Sequence, residues 1–164
     1  MTFNFHRFHI NKMKAERREC TCEKCASLCK GNPGWFSPGQ ARGAAQFLGL
    51  SLLDFFKKYL IVEHWNNARG FTWVLTPQKD YQEGQLVASY KDAHQRGPCR
   101  LLTERGCMLP TLHRPLECAC HWSCTPREEP NPYARGNIKE AWVEETSELE
   151  ELFGPMFQRV LGEM

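Results

Sequence analysis

Residues 20–40 read CTCEKCASLCKGNPGWFSPGQ, and three kinds of local chemistry meet there. Cys22, Cys25 and Cys29 form CxxCxxxC, with Cys20 two residues ahead of them. Thiolates two to four residues apart can converge on one cation, because a tight turn or a helix start points them the same way. Zinc or an iron–sulfur cluster then offsets their mutual repulsion. GNPG at 31–34 signals a turn. Ser37-Pro38-Gly39-Gln40 has the form of a capping box, with Ser37 at the N-cap, Pro38 at the first helical position and Gln40 at N3. A helix is therefore predicted from here to about Leu48, entered directly from a cysteine-bearing turn.

Downstream, Gly49 and Ser51 punctuate the pattern. Ser51-Leu52-Leu53-Asp54 predicts a second capped helix through Tyr59, with Leu52, Phe55, Phe56 and Tyr59 on its buried face. Ile61–Trp65 and Phe71–Thr76 are β-branched and aromatic runs flanking NNARG, the pattern of a hairpin with a short Gly-containing loop. The polar stretch from Pro77 to Gly97 carries no clear signal. Cysteines return at Cys99, Cys107, Cys118, Cys120 and Cys124, in a segment rich in Pro and Gly and predicted to be mostly loop.

Three ligands need at least a fourth, and this second group can supply it, with His113 and His121 also within its span. A lone Cys is most often a small buried hydrophobe. A triplet as tight as 22–29, in a chain of nine cysteines, favours metal ligation. A dithiol redox site is the competing reading. Cys20 and Cys120 stand in CxC spacings that suit one tetrahedral ion poorly, which makes them spectators.

At 164 residues the chain suits one domain. Hydrophobic residues make up 41% and charged residues 24%, which excludes disorder of the whole chain. Its longest apolar stretch, LGLSLLDFF at 48–56, falls far short of the roughly 20 residues that cross a bilayer. The first residues show no continuous apolar region and no small-residue cleavage site, so a cytoplasmic protein is expected. A reducing compartment does not maintain structural disulfides, and an odd number of cysteines cannot all pair. No GxSxG, HExxH or phosphate-cradling glycine loop is present, and hydrolase or nucleotide-dependent readings have no support.

The ordered set CxxCxxxC, GNPGWFSPGQ, LGLSLLDFFKKYL, CRLLTERGC and RPLEC resembles the YkgJ-type cysteine-cluster family, described as zinc- or iron-chelating. The likeness runs from Cys20 to Cys124. It implies metal binding, with an iron–sulfur cluster as one form because similar domains occur in flagellin lysine methylases. It nominates Cys22, Cys25, Cys29, Cys99, Cys107 and Cys118 as ligands, with Arg114-Pro115 as the family's turn. Lys30 stands where the family has the second Cys of a CC pair, the segment before Arg114 is one residue longer, and Pro110 takes the place of an aromatic.

The ends carry opposite charge. Met1–Arg18 holds five Lys/Arg against the single Glu16, and Asn137–Met164 holds two against seven Glu. The basic end interleaves with Phe3, Phe5 and Phe8, yet a pI of 8.1 argues against a nucleic-acid surface and for aromatics on the core. Apolar positions from Ile138 to Leu161 recur at near-helical spacing, predicting an acidic amphipathic tail. Its Glu residues read by default as a solvated helix face, with an unknown protein partner at this helix as the alternative.

Three parts are expected: a basic lead-in (1–19), a cysteine-cluster metal-binding domain (20–130) and an acidic helical tail (137–164). The expected fold class is mainly α, with α+β as the variant: a small, loop-rich, metal-stabilised domain with a short β-hairpin and a C-terminal amphipathic helix. The expected function is chelation of zinc or iron by cysteines from two separated segments. The alternative is an iron–sulfur-dependent enzyme or enzyme accessory resembling the methylase cysteine domain.

Overall fold

The computed structural model describes residues 29–31, 33–67, 70–88, 96–115 and 118. The lead-in at 1–19, Cys22 and Cys25, and the tail at 137–164 lie outside the described residues.

The first helix, α1 (Pro38–Phe47), starts as its sequence dictates: Gln40 N–H donates to Ser37 Oγ and the Gln40 side chain accepts from Ser37 N–H. It ends in a Schellman turn, in which Gly49 N–H donates to Gln46 O and Leu50 N–H to Ala45 O. Gly49 takes the φ of +67° that this turn needs, a value a side chain would oppose. The second helix, α2 (Leu52–Tyr59), is capped by Ser51, whose Oγ accepts from Asp54 N–H. Phe55 and Phe56 are buried by α2, and Leu52 and Tyr59 sit half-buried at its margin.

The hairpin follows α2 without a linker. Strand β1 (Leu60–Asn67) pairs antiparallel with β2 (Gly70–Pro77), from Leu60 opposite Pro77 to Asn67 opposite Gly70. Both outer edges gain a short companion. Phe36 bridges Leu75 on the β2 side, and Val87 bridges Val62 in parallel on the β1 side. Two-residue strands β3 (Leu102–Thr103) and β4 (Gly106–Cys107) form a second, minimal hairpin. Short 3-10 turns at Asp80–Gln82 and Thr111–His113 complete the described elements.

The described part is thus two helices with two antiparallel two-stranded sheets, and the expectation of a mainly α domain is overturned. The physical reason lies between Leu60 and Pro77. Two eight-residue strands form there, longer than the apolar runs alone suggested, because polar Asn66 and Asn67 also join the ladder. In the Gly- and Pro-containing segment after Gly97, turn chemistry adds a further, minimal hairpin to what is otherwise mostly loop. Glu104 and Arg105 form its two-residue turn, Gly106 takes a φ of +99°, and Thr103 Oγ1 donates to Gly106 O at 2.7 Å.

One core joins these elements. Phe36 meets Phe55 edge to face at 5.8 Å between ring centroids, and Ala41, Ala44, Phe56, Leu60, Leu75, Leu101 and Leu109 close around them. Among the described residues no helix is long and apolar enough to cross a membrane.

Candidate metal centre

The cysteine-bearing segments hang from the end of β2. Gln78, fully buried, is the hinge: its N–H donates to Tyr59 O, its Nε2 donates to Leu60 O and Gln85 O, and its carbonyl accepts from Arg100 N–H. Its Oε1 is buried with no hydrogen-bond partner. From there residues 98–100 run along 78–80, with Asp80 N–H donating to Pro98 O and Lys79 bridging Cys99.

The other side of the same strip meets the first cysteine group. Cys99 N–H donates to Cys29 O at 2.8 Å, and Gly97 N–H donates to Gly31 O at 3.5 Å. Residues 70 positions apart in sequence are in this way held side by side. Cys107 arrives by the small hairpin, opposite Leu102, whose own N–H donates to Cys99 O. Cys118 arrives from the far side of the Thr111–His113 turn, and its Sγ accepts from Gly34 N–H at 3.2 Å.

Four of the six nominated ligands, Cys29, Cys99, Cys107 and Cys118, therefore share one neighbourhood, and each thiol of the first three acts electrostatically on Cys118. Burial pushes the Cys99 thiol up to about 12; the Leu101 backbone hydrogen bond opposes this, and Cys107, Cys29 and Asp80 add to it. Cys118 is likewise raised, first by desolvation and then by its sulfur neighbours, against the pull of the Gly34 amide. As a residue Cys118 is half-exposed. The desolvation applies to its sulfur, which lies under Gly34 N–H, and that atom governs the chemistry.

No disulfide joins these cysteines. Among the described residues, no group of three or more His, Cys, Asp or Glu side chains is placed to hold a metal ion. The four thiols are neighbours without forming a closed coordination sphere. Cys22 and Cys25, like Cys20, Cys120, Cys124 and His121, lie outside the described residues.

His113 is carried on the Thr111–His113 turn, where its ring packs on Phe47 of α1 at 5.5 Å between centroids. A Cβ at Gly43 would stand 2.9 Å from His113 Nδ1, so a glycine lets this turn approach the helix. Arg114 donates from Nε to Leu109 O at 2.7 Å, which closes the loop between them. Lys30, in the place of the resembled family's second cysteine, is exposed.

Three contributors escaped the sequence reading. Gly34 was visible only as a turn residue, yet its amide is the hydrogen-bond donor to Cys118 Sγ. Asp80 sits in an unassigned polar stretch and places a carboxylate in the field of Cys99. Gln78 has no motif at all.

No protein-family model, curated protein or solved structure matches this chain.

Proposed function

We propose that the protein binds a thiophilic metal, zinc or iron, through cysteines drawn from the two separated segments. The observation that carries this reading is the gathering of Cys29, Cys99, Cys107 and Cys118 from four pieces of chain into one neighbourhood, two of them joined by a direct backbone rung. Cys22 and Cys25 are assigned to the same centre by their CxxCxxxC spacing with Cys29. The resemblance to the YkgJ-type cysteine-cluster family supports the same ligand set.

The donor chemistry fits such a group. All four neighbours are sulfur, which suits zinc, iron or an iron–sulfur cluster and disfavours calcium and magnesium, whose ligands are oxygens. Bound there, the metal supplies the positive charge that lets several buried thiols deprotonate together. Gly34 N–H and the Leu101 backbone already direct hydrogen bonds at two of the sulfurs, the arrangement that stabilises metal-bound thiolates from outside the first shell. Such a role places the chain in a reducing compartment, where its thiols stay available.

The test is anaerobic purification followed by metal analysis and an absorption spectrum. Broad visible absorption with iron and sulfide selects a cluster, and a colourless protein carrying zinc selects the single-ion form. Folded protein without either metal, across preparations, refutes the proposal. If one centre is shared, Cys29→Ser and Cys107→Ser each strip the same metal and the double variant loses little more than either. Additive losses mean two centres.

A further inference from the structure

We propose that Gln40 and Arg114 form a positioning clamp that sets Cys118 against the other thiols; its purpose rests on the metal-binding reading, its geometry does not. Gln40 lies in the first turn of α1 and is 5% exposed. Both ends of its amide are committed. Oε1 accepts from Ser37 N–H at 3.2 Å, which closes the helix cap, while Nε2 donates to the carbonyl of Arg114, 74 residues away. The cap needs only the first bond. The second ties the helix to the segment between Cys107 and Cys118.

Arg114 completes the tie. Its Nε donates to Leu109 O at 2.7 Å and its N–H to Thr111 O at 3.4 Å, so residues 109–114 close on themselves. Leu109, where the ring begins, and Pro115, directly after it, are fully buried. Cys107 stands two residues before the ring and Cys118 three residues after Pro115.

The stretch that begins α1 also reaches Cys118 directly. Gly34 N–H donates to its Sγ, and Phe36, two residues on, is fastened to β2 by its N–H to Leu75 O at 2.8 Å. One piece of chain thus acts on Cys118 from two sides: Gly34 holds its sulfur, and Gln40, through Arg114, holds the chain that precedes it as far as Pro115. Without the Gln40 bond the ring keeps its shape but is held on the helix by packing alone, and the Gly34–Cys118 contact opens more often.

Site-resolved alkylation of the full chain, prepared metal-free, tests this. Wild type and variants are exposed to iodoacetamide, and Cys118 and Cys99 are followed separately by peptide mass spectrometry. Gln40→Leu and Arg114→Met should each speed Cys118 labelling about fivefold to tenfold, the factor one or two lost hydrogen bonds carry, with Cys99 unchanged. Ser37→Ala removes the cap hydroxyl and leaves the clamp, so it should not alter the ratio. Equal acceleration of Cys118 and Cys99 in both clamp variants, or no acceleration, overturns the proposal. Should Gln40→Leu fail to fold, Arg114→Met decides the outcome by opening the Leu109–Arg114 ring that carries the accepting carbonyl, and Arg114→Lys replaces it if it too is unfolded. Cobalt(II) titration of the wild type separates the two readings: absence of thiolate-to-cobalt absorption defeats metal binding and leaves the alkylation ratio to judge the clamp.

Discussion

From Trp35 to Pro77 the chain is made of long elements, two helices and two eight-residue strands, whose inner sides deliver Phe36, Phe55, Phe56, Leu60 and Leu75 to one apolar core. From Gly97 to Pro115 no described element exceeds three residues, and Leu101 and Leu109 are the main apolar anchors. The first region is stabilised by area removed from water, a force that needs no ligand. The second is held by backbone rungs to Cys29 and Gln78 and by the Gln40–Arg114 tie. On the proposed metal-binding reading its order, more than that of the first, depends on what its thiols hold, in keeping with its few apolar contacts.

The largest effect should come from breaking the first region. Phe55 is fully buried and meets Phe36 edge to face, so Phe55→Ala should cost about 3–5 kcal/mol. That is a large share of the roughly 5–15 kcal/mol by which a domain is stable. Urea unfolding measures it. A cost near that of a surface substitution would mean that the core is not where this region's stability lies.

The next effect separates the regions. If the proposed metal is bound, stripping it with a chelator should speed hydrogen exchange of the Cys99 and Met108 amides at least about tenfold, equivalent to about 1.4 kcal/mol of local stability. The Phe36 and Val62 amides, bonded to Leu75 and Leu86, should keep their protection. Equal loss at all four amides would show one cooperative unit and erase the comparison.

The same division explains what could be read from the sequence. In the first region the signals are local. Ser37 and Ser51 cap helices by accepting from the N–H three residues on, and the β-branched run from Ile61 continues directly into a strand. Even there the balance of helix and strand misled, since polar Asn66 and Asn67 belong to the ladder because Phe71 and Gly70 pair with them. In the second region almost nothing that matters is local. Gly34 and Cys118 are 84 residues apart, Gln40 and Arg114 are 74 apart, and no periodicity announces either contact. Cysteine content and the family resemblance could nominate Cys29, Cys99, Cys107 and Cys118 as candidate partners, because shared chemistry is legible at any separation. The groups that position them were not, because their roles exist only once the chain has closed.

A smaller effect lies at the seam between the regions. Gly43 faces His113, and Gly43→Ala adds a methyl 2.9 Å from Nδ1 and 3.4 Å from Cε1 of a ring already packed on Phe47. Helix propensity favours Ala by about 1 kcal/mol, while overpacking costs about 1–3 kcal/mol, so the net should be a loss of about 1 kcal/mol. A melting temperature above that of the wild type would mean that His113 swings aside and the turn does not need this close approach.

The smallest effect concerns a surface ion pair that fastens the second region to the segment following β2. Arg100, directly after Cys99, donates from Nη2 to Glu83 Oε1 at 2.8 Å, just beyond the Asp80–Gln82 turn. The hydrogen bond from Arg100 and then its charge hold the Glu83 carboxyl below its usual 4.5. Because the folded value lies below the unfolded one, the pair contributes above pH 4.5 and its contribution is lost as the pH falls through the lowered value. Glu83 is largely exposed, so solvent and salt screen the interaction and the gain is slight. Glu83→Gln should therefore lower the melting temperature marginally near neutral pH. The difference should shrink on acidification, and also in about 1 M salt, where the screening length falls to about 3 Å. Exchange at the Cys99 amide should quicken slightly while Val62 stays unchanged, because the pair anchors the strip that carries Cys99 and not the hairpin. A difference that persists in acid would assign Glu83 a contact other than Arg100, and acceleration at Val62 would mean that the two regions open together.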